Sequence, residues 1–230
     1  MKKLLTILCC IGAMALLAAC GQNKQAKQQE EDAKVAAENA AKQAAEAAAK
    51  EQKALEQIAT LPEEPLFDIT TNYGTMRIKL YSKTPKHRAN FEKLALTGFY
   101  DGLLFHRVIN GFMIQGGDPL TKDPANADKY GTGGPGYTVE AEFVKEYTHK
   151  KGALAAARRG DTANPRKESS GSQFYIVQDE KACAQLDGSY TVFGETVSGL
   201  DVIDKIAAVP TGARDCPVSP VKIISVKLVQ

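Results

Sequence analysis

From residue 66 onward, apolar and polar positions alternate in short runs. Leu66-Phe67-Asp68-Ile69-Thr70 and Met76 to Tyr81 have the two-residue period of half-buried strands, and Asn72-Tyr73-Gly74 between them reads as a hairpin turn. The same pattern predicts short strands at 104–109, 112–116, 137–140, 152–157, 173–177, 191–196 and 221–229. Two segments carry a helical period instead. Thr84-Pro85 opens one, with Phe91, Leu94 and Ala95 on its inner face and Gly98 at its end. Leu200 to Ala207 forms the other, with Val202, Ile203 and Ile206 inward. Such a set of short antiparallel strands with two separate helices fits a mainly β barrel capped at its ends.

Upstream the pattern changes. Glu30 to Ala59 is dominated by Ala, Glu, Lys and Gln, contains no Gly or Pro, and places Lys34, Glu38, Lys42, Glu46 and Lys50 on one helix face. Its large apolar residues are only Val35, Leu55 and Ile58, too few for a heptad seam. Residues 20–64 therefore read as a helical or flexible Ala/Glu/Lys stalk, ended by Pro62 and Pro65, and residues 65–230 as the globular domain. Residues 1–19 have a positive start, an apolar run from Leu4 to Leu17 and small residues before Cys20, the layout of a secretory signal peptide. The ending Leu17-Ala18-Ala19-Cys20 resembles the bacterial lipoprotein signal. That resemblance implies lipidation of Cys20 and a bacterial envelope protein held to a membrane by its acyl chains. Gly21 in place of an aspartate favours the outer membrane. An ordinary cleaved signal with an incidental Cys20 is the alternative.

Charge narrows the partners. The whole chain has a formal net charge of +2, and losing residues 1–19 removes Lys2 and Lys3 but no acid, leaving zero. No basic footprint for nucleic acid results. His87, His106 and His149 show no metal-ligand spacing, and no phosphate-binding glycine loop follows a strand, so neither metal nor cofactor is expected. With Cys20 acylated, Cys183 and Cys216 remain either as a disulfide of an oxidising compartment or as two free thiols.

The segment with most chemical content is Phe105-His106-Arg107-Val108-Ile109-Asn110-Gly111-Phe112-Met113-Ile114-Gln115-Gly116-Gly117-Asp118. It sets an arginine and a glutamine among large apolar residues. By itself it describes either a strand pair with a surface arginine or a cationic donor held against an apolar patch, where a desolvated guanidinium needs partners. His106 should face away from Arg107 by strand alternation, which suits a structural role.

Together with Gly171-Ser172-Gln173-Phe174-Tyr175-Ile176 and with Leu186-Asp187-Gly188 leading to Val192-Phe193-Gly194, this segment resembles the cyclophilin family of peptidyl-prolyl isomerases, from Phe67 to Leu228. The resemblance implies a closed eight-stranded antiparallel β-barrel capped by two helices, present as a monomeric domain, and an enzyme that acts on proline-containing polypeptides; a proline-segment binding module or chaperone with little turnover is the alternative. Arg107 matches the family's catalytic arginine. Phe112, Met113, Tyr175 and Leu186 match the apolar slot for the proline ring. Gln115 would bind the substrate backbone and steady Arg107, main-chain groups of Arg158 would pair with an extended substrate, and Gln173 would line a neighbouring side pocket. The segment from Gly160 to Ser170 is longer than usual and would lie beside the groove. Three positions depart from the best-known pattern. Tyr175 replaces a phenylalanine, Tyr190 in the substrate site replaces a histidine, and Gln185 stands where many members carry a tryptophan whose indole N–H donates to cyclosporin. The chain has no tryptophan. Weak cyclosporin binding is therefore predicted, measured as inhibition of proline-isomer exchange; inhibition at nanomolar concentrations contradicts it.

Overall fold

The structure, a computed structural model, describes the backbone of residues 2–229 and the side chains of residues 28, 29 and 31–229. The predicted signal peptide and Cys20, the expected lipidation site, lie outside the residues whose side chains are described. No helix among the described residues is long and apolar enough to cross a membrane.

The chain divides into two units, residues 1–50 and 51–230. The first is part of helix α1 (Lys2–Ile58), whose described side chains up to residue 50 are exposed, as its polar composition requires. The stalk is thus helical, stopping just before Pro62. The second unit takes in the last turns of α1. There Ala54 is buried, Glu51 pairs with Lys93 at 3.4 Å, and the Arg88 guanidinium donates to the carbonyl of Glu63.

The elements of the second unit follow the apolar pattern closely. Strands β1 (Leu66–Thr71) and β2 (Gly74–Leu80) form the predicted hairpin, and helix α2 (Pro85–Leu96) starts on its proline and gives way to Gly98 in a left-handed conformation. Then come β3 (Arg107–Ile109), β4 (Met113–Gly116), β5 (Thr138–Val139), β6 (Ala153–Ala156), β7 (Ser169–Ser170), β8 (Phe174–Val177), the short helix α3 (Glu180–Cys183), β9 (Val192–Ser198), helix α4 (Leu200–Ala207) and β10 (Ile223–Leu228). Strand β7, paired with β5, and helix α3 are too short to leave a period in the sequence.

Eight strands form one antiparallel sheet in the order β10-β1-β2-β9-β6-β8-β4-β3. The expected closed barrel is corrected here: the sheet is a half-barrel, open between β3 and β10. Across the opening run the single bridge Leu104↔Lys222 and the bonds of Gly102 N and Phe105 N to the carbonyls of Ile223 and Val221. On the opposite edge of this segment, Leu104 N donates to the Thr121 hydroxyl at 3.0 Å.

The sheet is apolar on both faces. Along β8, Phe174 and Ile176 enter the main core with Phe67, Phe91, Tyr100 and Phe105, while Tyr175 and Val177 face a second cluster. On β6, Leu154 and Ala156 point inward, while Ala153 and Ala155, with Ala157 just beyond the strand, lie on the other face. That row of alanines leaves the second face recessed. Cys183 is buried in this cluster, its Sγ on the Phe112 carbonyl at 3.4 Å. Burial pushes its thiol pKa up to about 12. Cys216 sits on a different loop beside Pro217. Both are free thiols, so the disulfide left open by the sequence is not formed in the structure.

Candidate active site

Cross-strand register gathers the site. Arg107 pairs with Gln115, Gln115 with Tyr175, and Tyr175 with Ala155, so four residues from β3, β4, β8 and β6 form one transverse row. In the next row, Ile109 pairs with Met113 and Met113 with Val177. These residues share one face because side chains alternate strictly along each strand.

Above this row lies a cavity of about 520 Å³. Its walls include Arg107, Phe112, Met113, Gln115, Arg158, Tyr175, Leu186 and Tyr190. Eight of the nine residues predicted for catalysis and substrate binding therefore meet in one hollow. The ninth, Gln173, lines an adjoining cavity with Gln115, Ala157 and Arg158, where Ala163 and Asn164 of the long 160–170 loop also stand.

A chain of amides orients the arginine. Gln173 Nε2 donates to the carbonyls of Gly131 and Gly133 at 3.0 and 2.8 Å, so its Oε1 must face the other way. There it accepts from Gln115 Nε2 at 3.0 Å, which turns Gln115 Oε1 toward Arg107 Nη1 at 3.4 Å. The loop that presents the two glycine carbonyls is itself held through its N–H groups by Asp118, fully buried at the Gly-Gly-Asp turn. Its carboxylate accepts from the backbone N–H of Gly131, Gly133 and Leu120 at 2.5, 3.1 and 2.8 Å. Gly133 has to be glycine, since a Cβ there would stand 2.2 Å from Asp118 Oδ1. The turn at the end of the motif thus sets the direction of a side chain near its beginning.

Arg158 behaves differently from Arg107. Its side chain is 4% exposed, with Nε on the Ser189 carbonyl at 2.8 Å, Nη1 on Asp161 at 2.6 Å, and Cζ 4.4 Å from the centre of the Tyr190 ring. Its guanidinium is committed to the protein, bracing Tyr190 at the cavity wall. His106 departs from its expected place. It precedes β3 and does not alternate within it, so it borders the cavity, buried, with both ring nitrogens unpartnered. Burial, ahead of the opposing pull of Asp118, lowers its pKa.

Among the cavity residues not singled out as site residues from the sequence are Tyr130, Gly131, Arg214, Asp215 and Cys216. They come from irregular loops, which carry no period. Arg214 and Asp215 both have positive φ (59° each), and Arg214 donates to the carbonyls of Asp128 and Ala127 at 2.7 and 2.6 Å. This clamp sets Asp215 Oδ2 3.5 Å from Arg107 Nε. The contact is long, and both side chains are more than 40% exposed. Solvated pairs of this kind contribute about 0–1 kcal/mol, so the guanidinium remains available to a competing acceptor.

The family described as "Cyclophilin type peptidyl-prolyl cis-trans isomerase/CLD" matches residues 66–228. A "Peptidyl-prolyl cis-trans isomerase" of Acinetobacter baylyi is 40% identical over 171 residues, covering 71% of this chain and 85% of the relative. "Peptidyl-prolyl cis-trans isomerase B" of Bacillus subtilis is 46% identical over 128 residues, covering 55% and 78%. Longer relatives also match: the chain spans 28% of "Peptidyl-prolyl cis-trans isomerase-like 2" of Rhizopus delemar. Two crystal structures of a Cryptosporidium parvum cyclophilin-type isomerase, one in the presence of the dipeptide Ala-Pro, superpose with TM-scores of 0.64 and 0.63 at 29% identity. They cover 73% and 72% of this chain and 98% and 99% of theirs. The chain belongs to the cyclophilin family of peptidyl-prolyl cis-trans isomerases.

The Asp215→Asn variant is predicted to change kcat/KM on an X-Pro peptide by less than about threefold, because the pair it removes is solvated. A loss of about tenfold or more would instead give Asp215 a share in holding the arginine.

Proposed function

We propose that Arg107 catalyses isomerisation of X-Pro bonds by hydrogen bonding to the prolyl nitrogen in the twisted-amide transition state. Planarity of the peptide bond rests on resonance, and losing it sets a barrier of ~18–20 kcal/mol. As the bond twists, the nitrogen becomes pyramidal and recovers a lone pair. A donor already aimed at that point binds the twisted form better than the planar one, which is the condition for catalysis. No nucleophile or proton transfer is needed. The observation that carries this reading is the arginine held by Gln115 over a hollow walled by Phe112, Met113, Leu186 and Tyr175. The ring of a proline fits apolar walls, and the Cryptosporidium relative was crystallised in the presence of Ala-Pro.

The setting we propose is extracytoplasmic. A signal of the lipoprotein type would anchor Cys20, and the helical stalk would hold the isomerase away from the membrane, where slow X-Pro isomerisation limits the folding of exported chains. Its partners would then be partly folded, proline-containing polypeptides and the lipid surface, with an outer-membrane location favoured by Gly21.

Arg107→Ala is predicted to lower kcat/KM on an X-Pro peptide about a hundredfold, with peptide affinity within about threefold. An unchanged rate, or a wild type that does not accelerate exchange, overturns the mechanism. For the anchor, Cys20→Ser should move the protein from the membrane fraction to the soluble fraction; unchanged membrane association contradicts acylation at Cys20.

A further inference from the structure

Behind the cavity lies a buried group that the mechanism does not use. The Leu186-Asp187-Gly188 turn sends Leu186 to the cavity wall and Asp187 back to His149. Asp187 Oδ1 accepts both from the His149 backbone N–H at 2.8 Å and from Nδ1 at 2.6 Å. On the opposite side of the ring, Nε2 lies 2.8 Å from the hydroxyl of Tyr175, with the two ring planes nearly parallel at 10°. The His149 side chain has no exposure.

The direction of these bonds follows from the chemistry. An ionised Asp187 can only accept, which places the proton of a neutral imidazole on Nδ1 and leaves Nε2 an acceptor. Burial lowers the His149 pKa against the pull of Asp187, and burial raises that of the Tyr175 phenol. A neutral ring therefore receives a bond from a protonated phenol. Among the described residues, the hydroxyl of the tyrosine that replaces the family's phenylalanine has a single partner, and that partner lies outside the cavity.

We propose that His149, oriented by Asp187, is a positioning residue for the isomerase reaction: it holds the Tyr175 hydroxyl so that the ring stands as a fixed wall of the proline slot. This rests on the reading of the cavity as that slot. Without His149 a buried hydroxyl is orphaned, and the ring has to leave its place to find water or another acceptor. The slot then loses its shape while Arg107 keeps its amide support, so the damage falls on substrate binding.

The test is a cycle of His149→Leu in two backgrounds, wild type and Tyr175→Phe, with kcat and KM on an X-Pro peptide. His149→Leu is expected to raise KM about tenfold in the wild-type background and by less than about twofold in the Tyr175→Phe background, with kcat within about threefold in both pairs. Equal losses in the two backgrounds, or no loss in the wild-type background, overturn the proposal. Should the His149→Leu variant not fold, His149→Phe, which likewise offers the hydroxyl no acceptor, takes its place with the same criterion. A second readout is independent of turnover: the wild type should show a slowly exchanging Tyr175 hydroxyl proton by NMR, and its absence also overturns the proposal. Phe112→Ala separates the two readings. If it leaves KM unchanged while the hydroxyl resonance is present, the slot assignment has failed and not the bond between His149 and Tyr175.

Discussion

Strand register is the constraint on which the site depends. Arg107, Gln115, Tyr175 and Ala155 are brought side by side by three antiparallel pairings, and each pairing admits one residue per position. A slip of one residue in any of them would carry its side chains to the opposite face. That face is filled by the main core, where Val108, Ile114, Leu154 and Ile176 stand between them. Placing a guanidinium there would cost several kcal/mol, since a buried charge needs partners that this core does not offer. The apolar core thus enforces the row of polar and aromatic side chains on the other face. The site follows from the burial of its immediate sequence neighbours.

Within that frame, direction comes from hydrogen-bond polarity. An amide has a donor end and an acceptor end, and fixing one end of Gln173 fixes the whole sequence of bonds to Arg107. The anchor is Asp118, whose carboxylate folds the Gly131–Gly133 loop against the sheet. The result is a cation held by neutral partners on one side and by a solvated carboxylate on the other. A tightly buried ion pair would have neutralised it. The neutral amide leaves its charge free, as the proposed donor to a twisting prolyl nitrogen requires.

Much of this was legible from residue order. The two-residue period placed the strands, and the resemblance to the cyclophilin motifs named Arg107, Gln115, Gln173 and Tyr175 as candidate site residues. What escaped was set by contacts distant in sequence. Between β3 and β10 only the bridge Leu104↔Lys222 and its neighbouring backbone bonds form, a long-range outcome that no local pattern records. Asp215 reaches Arg107 because Arg214 grips carbonyls 86 and 87 residues earlier. The partner of the Tyr175 hydroxyl, demanded by the chemistry of a buried phenol, proved to be His149, a residue 26 positions away on an irregular segment. Residue order left Cys183 and Cys216 open between a disulfide and two free thiols, because it does not record that they stand on separate segments.

The central claim is that a fixed guanidinium meets the prolyl nitrogen. The most direct measurement is a crystal structure of the protein with a bound peptide containing an Ala-Pro bond. It should place an Arg107 guanidinium nitrogen within about 3.5 Å of the prolyl nitrogen, with the ring between Phe112, Met113 and Leu186. A peptide whose proline lies outside this hollow, with the guanidinium still turned to Asp215, would contradict the account.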